Sequence, residues 1–172
     1  MTAPIRISLG MIVRDEEAML PACLSSVKGL ADEIVAVDTG SRDSTRAILA
    51  AAGARIVDFP WGDDFAAARN AGLAQARGQY VMVLDADERL ADERARRNLL
   101  ALARERRVDC GLMPLHHASR LDASMEDVLG GRARLSEPVL LPRFLRRTDD
   151  LAYHGVVHEN VEIGRASCRE RV

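Results

Sequence analysis

The 172-residue sequence predicts an α/β fold, a mainly parallel sheet with helices on both faces. Three observations predict it. Four apolar runs, at 5–13, 33–37, 55–59 and 80–84, alternate with stretches whose apolar residues recur at helical spacing. Glycines, prolines and short acidic residues between them supply start and stop signals. Two of the runs end on carboxylates, Asp38 and Asp85, at the position where open α/β sheets bind ligands.

The elements follow in order. The run 5–13 is rich in Ile and Val and reads as a buried strand. Glu16 and Glu17 then lead into a short helix with Pro21 in its first turn and Leu20, Cys23, Leu24 and Val27 on one face. The second strand, 33–37, ends on Asp38. Residues 39–43 turn the chain, Asp43 can cap a helix through Ala52, and Gly53 ends it in the left-handed conformation. A third strand, 55–59, is closed by Pro60. Asp63 or Asp64 caps a helix over 65–76, and Gly78 precedes the strand 80–84. Right-handed crossovers between these strands make the sheet parallel.

Beyond Asp87 the pattern loosens. Residues 91–106 predict an amphipathic helix with Leu99, Leu100 and Leu102 inward, and 109–115 a further strand. Residues 118–137 are polar, contain glycine and show no period, which predicts a long loop. Two more strands are predicted at 139–145 and 153–157.

The tripeptide Asp85-Ala86-Asp87 is the most informative feature. Two carboxylates one residue apart at a strand end repel each other. A hard divalent cation carrying a polyphosphate relieves that repulsion, since Mg²⁺ takes one or two protein carboxylates and completes its shell with phosphate oxygens and water. The competing reading is that one or both acids cap the following helix.

Composition narrows the function classes. At 48% hydrophobic the chain can bury one sizeable core. A formal charge of −2 implies no general affinity for nucleic acid. The Arg-rich stretch 89–107 is interleaved with Glu88, Asp92, Glu93 and Glu105 and reads as the solvated side of a helix. Lys28 is the only lysine, which suggests a GC-rich genome. Cys23, Cys110 and Cys168 lack C-x-x-C spacing and imply neither a disulfide framework nor a zinc site. No run approaches the ~18 apolar residues of a membrane span, and the N-terminus lacks a signal-peptide pattern. A cytoplasmic protein is expected, with peripheral association at the inner face of the plasma membrane still allowed.

Five ordered blocks carry a family resemblance: residues 7–17, 37–45, 59–65, Arg69-Asn70 and 84–88. Together they resemble a family 2 glycosyltransferase of the GT-A fold, which is Rossmann-like with a smaller acceptor-side C-terminal part. The chain is most similar to bacterial members linked to tetratricopeptide repeats or to lipopolysaccharide core glycosylation. A late segment, Leu141-Pro142-Arg143-Phe144 followed by Tyr153-His154-Gly155 and His158-Glu159, extends the resemblance to about residue 160. It implies a metal-dependent, inverting transfer of sugar from a nucleotide-diphosphate sugar, UDP-sugar foremost. The implied acceptor is a glycan, a lipid-linked molecule or a protein, in cell-envelope polysaccharide biosynthesis.

Site residues carry over by position. The resemblance places Val13, Arg14 and Glu16 beside the nucleoside, and Glu16 could equally compensate a helix dipole. Asp38 would accept from a base N–H. Asp85 and Ala86 would meet the ribose or a metal-bound water, and Asp87, with Asp85, would hold Mn²⁺ or Mg²⁺. Arg69 fits either a partner for these acids and the phosphates or a structural salt bridge. Arg143 would hold phosphate or an anionic acceptor. Glu159 is the implied general base that deprotonates the acceptor hydroxyl. His158 would ligate the metal or contact the diphosphate, against the plainer reading of a core histidine. His154 has weaker support, and His116 and His117 read as structural.

The last ten residues, IGRASCRERV, have no apolar period. They match an in-frame translation of a common short-read sequencing adapter, ATCGGAAGAGCGTCGTGTAGGGAAAGAGTG. The expectation is therefore a catalytic domain over 1–162, with a nucleotide-binding half at about 1–90 and a truncated acceptor-side half at about 91–162. Residues 163–172 are then a non-native tail, and 3′ codons unlike the adapter would overturn that reading. A truncated, non-catalytic nucleotide-sugar-binding domain lacking a complete acceptor site is the alternative. Donor hydrolysis without transfer would favour it. A phosphoacceptor receiver domain would need a lysine near the acids. A sugar-phosphate nucleotidyltransferase would open with a Gly-rich phosphate loop, unlike Val13-Arg14-Asp15-Glu16.

Overall fold

The computed structural model describes residues 6–105, 108–156, 160–163 and 166–167. The element order is β1 (Ile7–Val13), α1 (Leu20–Ser26), β2 (Glu33–Asp38), α2 (Thr45–Ala51), β3 (Arg55–Asp58), α3 (Phe65–Leu73) and β4 (Tyr80–Val83). It continues with α4 (Glu93–Glu105), β5 (Cys110–Leu115), α5 (Met125–Leu129), β6 (Val139–Arg146), β7 (Ala152–His154), β8 (Asn160–Ile163) and β9 (Ala166–Ser167).

Six strands form one sheet in the order β3-β2-β1-β4-β6-β5. The first four are mutually parallel, as the alternating pattern predicts. β6 is antiparallel to both β4 and β5, so the sheet is mixed at its second edge. β7, β8 and β9 make a separate antiparallel sheet, in which β8 straddles the 162/163 boundary drawn from the sequence.

β1, β2 and β4 are buried, which explains their near-continuous apolar character, whereas the edge strand β3 exposes Arg55 and Asp58. On one face Leu9, Met11 and Met82 pack with Leu20 and Cys23 of α1, Val27 at its C-cap, Leu49 of α2, and Leu99 and Ala103 of α4. On the other face α3 and the small sheet cover β4, with Ala66, Val81, Val83, Leu145, Tyr153 and Val161 in contact. Tyr80 and Phe144 stack at 4.8 Å and 8° between β4 and β6.

Helix ends follow local chemistry. Asp64, not Asp63, caps α3 through Ala67 N at 2.9 Å. Asp43 sits one residue outside the cap of α2, and its carboxylate accepts from Thr45 N at 2.9 Å. The segment 118–137 departs from the predicted loop, because Ser124 caps the short α5 through Asp127 N at 3.1 Å. Cys23 is buried and free, whereas Cys110 is disulfide-bonded, which the spacing of the thiols did not imply. Among the described residues no helix is long and apolar enough to cross a membrane.

Candidate active site

The carboxyl ends of β1, β2 and β4 gather the candidate residues at one edge. Parallel pairing sets Val13 beside Asp38, and Val13 O accepts from Thr39 N at 3.1 Å and Thr39 Oγ1 at 3.2 Å. The two loops that leave these strands are clasped reciprocally. Asp15 N donates to Ser41 Oγ (3.1 Å) while Arg42 N donates to the Asp15 carboxylate (2.7 Å). Glu17 N donates to Asp43 (3.0 Å) while Ser44 N donates to Glu17 (2.9 Å), and Glu16 N donates to Thr45 Oγ1 at 2.7 Å. Asp15 reaches this arrangement with φ 53°, a conformation Asp adopts more readily than most residues. The exposed side chain of Arg14 and the half-buried Glu16 therefore project from a loop fixed on both sides.

Asp38 is almost fully buried. Burial alone would raise its pKa, but hydrogen bonds from Ser41, Arg46 and Gly40 hold its carboxyl below the ordinary range. Its oxygens thus already have internal partners, and Arg46, which also pairs with Asp58, is an exposed side chain that a ligand could displace.

Asp85 lies two residues past β4. Oδ1 accepts from Arg69 Nη2 at 2.7 Å and Oδ2 from Arg143 Nη2 at 2.9 Å. Burial works to raise its pKa, and the two guanidinium charges overcome that and hold it below the usual carboxylate value. Arg69 is thus a partner for the acids through a salt bridge, uniting the two readings of that residue. Arg69→Met is expected to cost about 2 kcal/mol. Breaking a buried pair costs about 3–5 kcal/mol, here reduced because the Asp85 side chain is 40% exposed and keeps Arg143. Since the folded pKa of Asp85 is depressed, the pair stabilises above the unfolded value of about 3.9 and loses that effect as pH falls through the lower folded value. Melting curves of wild type and Arg69→Met should accordingly be separated at pH 7 and converge progressively below about pH 4. A gap that widens in acid would show that the ion pair is not its cause.

Asp87 is exposed and makes no hydrogen bond or ion pair among the described residues. Glu16 is the acid it crowds: burial raises the Glu16 pKa first, and the negative charges of Asp87, Asp43, Asp85 and Asp15 raise it further. Ala86 is buried between the two aspartates. Among the described residues no group of three His, Cys, Asp or Glu side chains could by itself hold a metal ion. The donor set fits a cation that takes Asp87 and completes its shell with phosphate and water, with Asp85 committed to the two arginines.

Arg143 reaches Asp85 through an irregularity in the sheet. Gly111 pairs with Phe144 and Leu112 with Pro142, which leaves Arg143 as the extra residue of a β-bulge. Bulges re-aim a side chain at sheet edges and beside sites, and Pro142 has no amide to contribute to the ladder there. Beside Asp85 and Asp87 opens a cleft of about 830 Å³, with Leu99, Leu112, Met113, Met125, Leu129 and Phe144 among its walls. Arg143, His116 and His117 also line it.

Four residues outside the sequence-derived set contribute. Glu88 accepts from Arg143 and from Asp85 N. Arg46 holds Asp38, Asp43 ties the two loops, and Asn70 pins β7 to α3 through Tyr153 O (2.9 Å) and Tyr153 N (2.8 Å). Arg69-Asn70 stood out in sequence as a pair, but the partner of Asn70 is 83 positions away. His158 and Glu159 lie outside the described residues. His154 is exposed, near Glu162 at 3.6 Å.

A model of the family described as Glycosyl transferase family 2 matches residues 8–158. A TPR repeat-containing protein of Synechococcus elongatus is 54% identical over 88 residues, 51% of this chain and 22% of that protein. An uncharacterized glycosyltransferase of Rickettsia bellii is 32% identical over 88 residues, 51% of this chain and 30% of its own length. The alignments thus span less than a third of these two relatives. Among solved structures, S. aureus TarS 1-349 superposes with a TM-score of 0.56 at 18% identity, covering 83% of this chain and 47% of that one. The same protein in complex with UDP-GlcNAc gives 0.54 at 21% identity, over 62% of this chain and 33% of that one. These likenesses establish the α/β fold.

Proposed function

The chain belongs to glycosyl transferase family 2, and from that premise we propose that it transfers a sugar from a nucleotide-diphosphate sugar, UDP-sugar foremost, to an acceptor hydroxyl. The observation that carries this reading is the convergence of Glu16, Asp38, Asp85 and Asp87 with Arg69 and Arg143 at one sheet edge. The clasped loops after β1 and β2 form a preorganised cradle for a nucleoside, with Val13, Arg14 and Glu16 on one wall and Asp38 on the other. Asp87 is the side chain open to a divalent cation, Mn²⁺ or Mg²⁺. Such a cation, when bound, supplies Lewis-acid stabilisation of the departing diphosphate. Asp85 remains ionised between its two arginines and orients the ribose or a metal-bound water.

The 830 Å³ cleft is the acceptor side, where a glycan, a lipid-linked molecule or a protein side chain would present its hydroxyl. Inversion requires a base on the face away from the leaving group, the role we assign to Glu159, with His158 near the diphosphate. Residues 1–162 are the proposed catalytic domain.

Thermal stability with UDP, GDP or dTDP, each with and without Mn²⁺, tests the donor site. A rise in Tm that needs both one diphosphate and the metal is expected, in line with ligand binding to the folded state alone. No rise with any pair, in a sample that melts cooperatively, would overturn the proposal.

A further inference from the structure

We infer that Glu88 is a positioning residue of the donor site, which fixes the turn that presents Asp87 and holds the guanidinium of Arg143 beside Asp85. The inference rests on the nucleotide-sugar reading above. Glu88 and Asp85 close the turn between them twice. The Glu88 carboxylate accepts from Asp85 N at 3.0 Å, and Glu88 N donates to Asp85 O at 3.0 Å. The other Glu88 carboxylate oxygen accepts from Arg143 Nη2, the same nitrogen that serves Asp85. Glu88 is only 9% exposed, so its carboxylate is committed inward while its neighbour Asp87 is left open.

Arg143 depends on this arrangement. As the bulge residue of β6 it has no place in the ladder, and its Nε is buried with no hydrogen-bond partner among the described residues. Nη2, shared between Asp85 and Glu88, is therefore what anchors the side chain. Charge makes the same point. Arg69, Arg143, Asp85 and Glu88 sum to zero, and removal of the Glu88 charge leaves a net positive charge beside the place a divalent cation would occupy. Like charges disfavour each other, so the cation would be held less tightly. Groups that orient a ligating turn typically change metal affinity 10–100-fold when removed.

Calorimetric titration of UDP with and without saturating Mn²⁺, on wild type, Glu88→Ala and Glu88→Gln, tests the inference, with Asp87→Ala as the reference for a lost site. The expected result is a 10–100-fold weaker UDP affinity with Mn²⁺ in both variants, and an affinity without metal that is not reduced. Glu88→Gln is nearly isosteric and keeps an acceptor for Asp85 N, so it carries the test should the alanine variant not fold. A folded variant with wild-type affinity in Mn²⁺ would overturn the inference, and so would an equal loss with and without the metal. Metal-dependent binding in wild type that Asp87→Ala abolishes, together with undiminished binding in Glu88→Gln, would leave the donor-site reading standing while removing Glu88 from it. Absence of metal-dependent UDP binding in wild type would overturn both.

Discussion

Asp87→Ala is expected to abolish the metal-dependent rise in Tm with UDP and to lower the transfer rate about a thousandfold, or ~4 kcal/mol of barrier. Its physical basis is that Asp87 is the one acid of the pair with no internal partner among the described residues, whereas Asp85 is held by Arg69 and Arg143. The substitution should leave intrinsic stability within about 0.5 kcal/mol, because the side chain is exposed and supports nothing. A second readout separates the site from the fold. Burial and the charge of Asp87 both push up the Glu16 carboxyl. Without Asp87, an NMR titration should find the Glu16 pKa displaced downward. Retention of the metal-dependent Tm rise in the variant would show that Asp87 does not hold the cation.

Gly78→Ala is expected to cost at least about 3 kcal/mol, the upper end of what overpacking costs in a core. A Cβ at this buried position would lie 2.6 Å from Ser8 N, 2.6 Å from Ser8 Oγ and 2.8 Å from Tyr80 O. Two of these atoms are backbone at the start of β1 and β4, so no side-chain rotation relieves the clash. The same approach lets Gly78 N donate to Ser8 Oγ at 2.8 Å, a bond that the displaced strand would lose. Gly62→Ala is the matched control, since its Cβ would meet nothing within 4 Å. Urea or thermal unfolding should separate the two variants, and equal stability would refute the steric account.

The strands were legible because burial on both faces writes an apolar run whatever its partners are. The edge acids Asp38 and Asp85 were legible for the same reason, as charges that interrupt such runs. What escaped was non-local. The clasp of Asp15 and Glu17 onto residues 41–44 joins segments more than 20 positions apart, and nothing in either loop alone announces it. Arg143 was singled out in a motif, yet its aim depends on a bulge set by pairing with β5. The short α5 did carry a signal. Ser124 and Asp127 stand in a capping arrangement ahead of Val128 and Leu129, and the polar surroundings obscured it. Glu88 read as one of the acids on the solvated side of the following helix, whereas it precedes that helix and its carboxylate faces inward.

The reversal of β6 between β4 and β5 sets a timetable for the chain during synthesis. β1 can pair with β4 as soon as Val83 has emerged, but the other edge of β4 waits for Phe144, Leu145 and Arg146. At ribosomal rates of about 5–20 residues per second, roughly 60 intervening residues keep that edge open for on the order of 3–12 s. Through that interval the nascent chain holds out one unpaired edge of a strand destined for full burial at the centre of its future sheet, and it is then that the molecule is most exposed to pairing with the wrong neighbour.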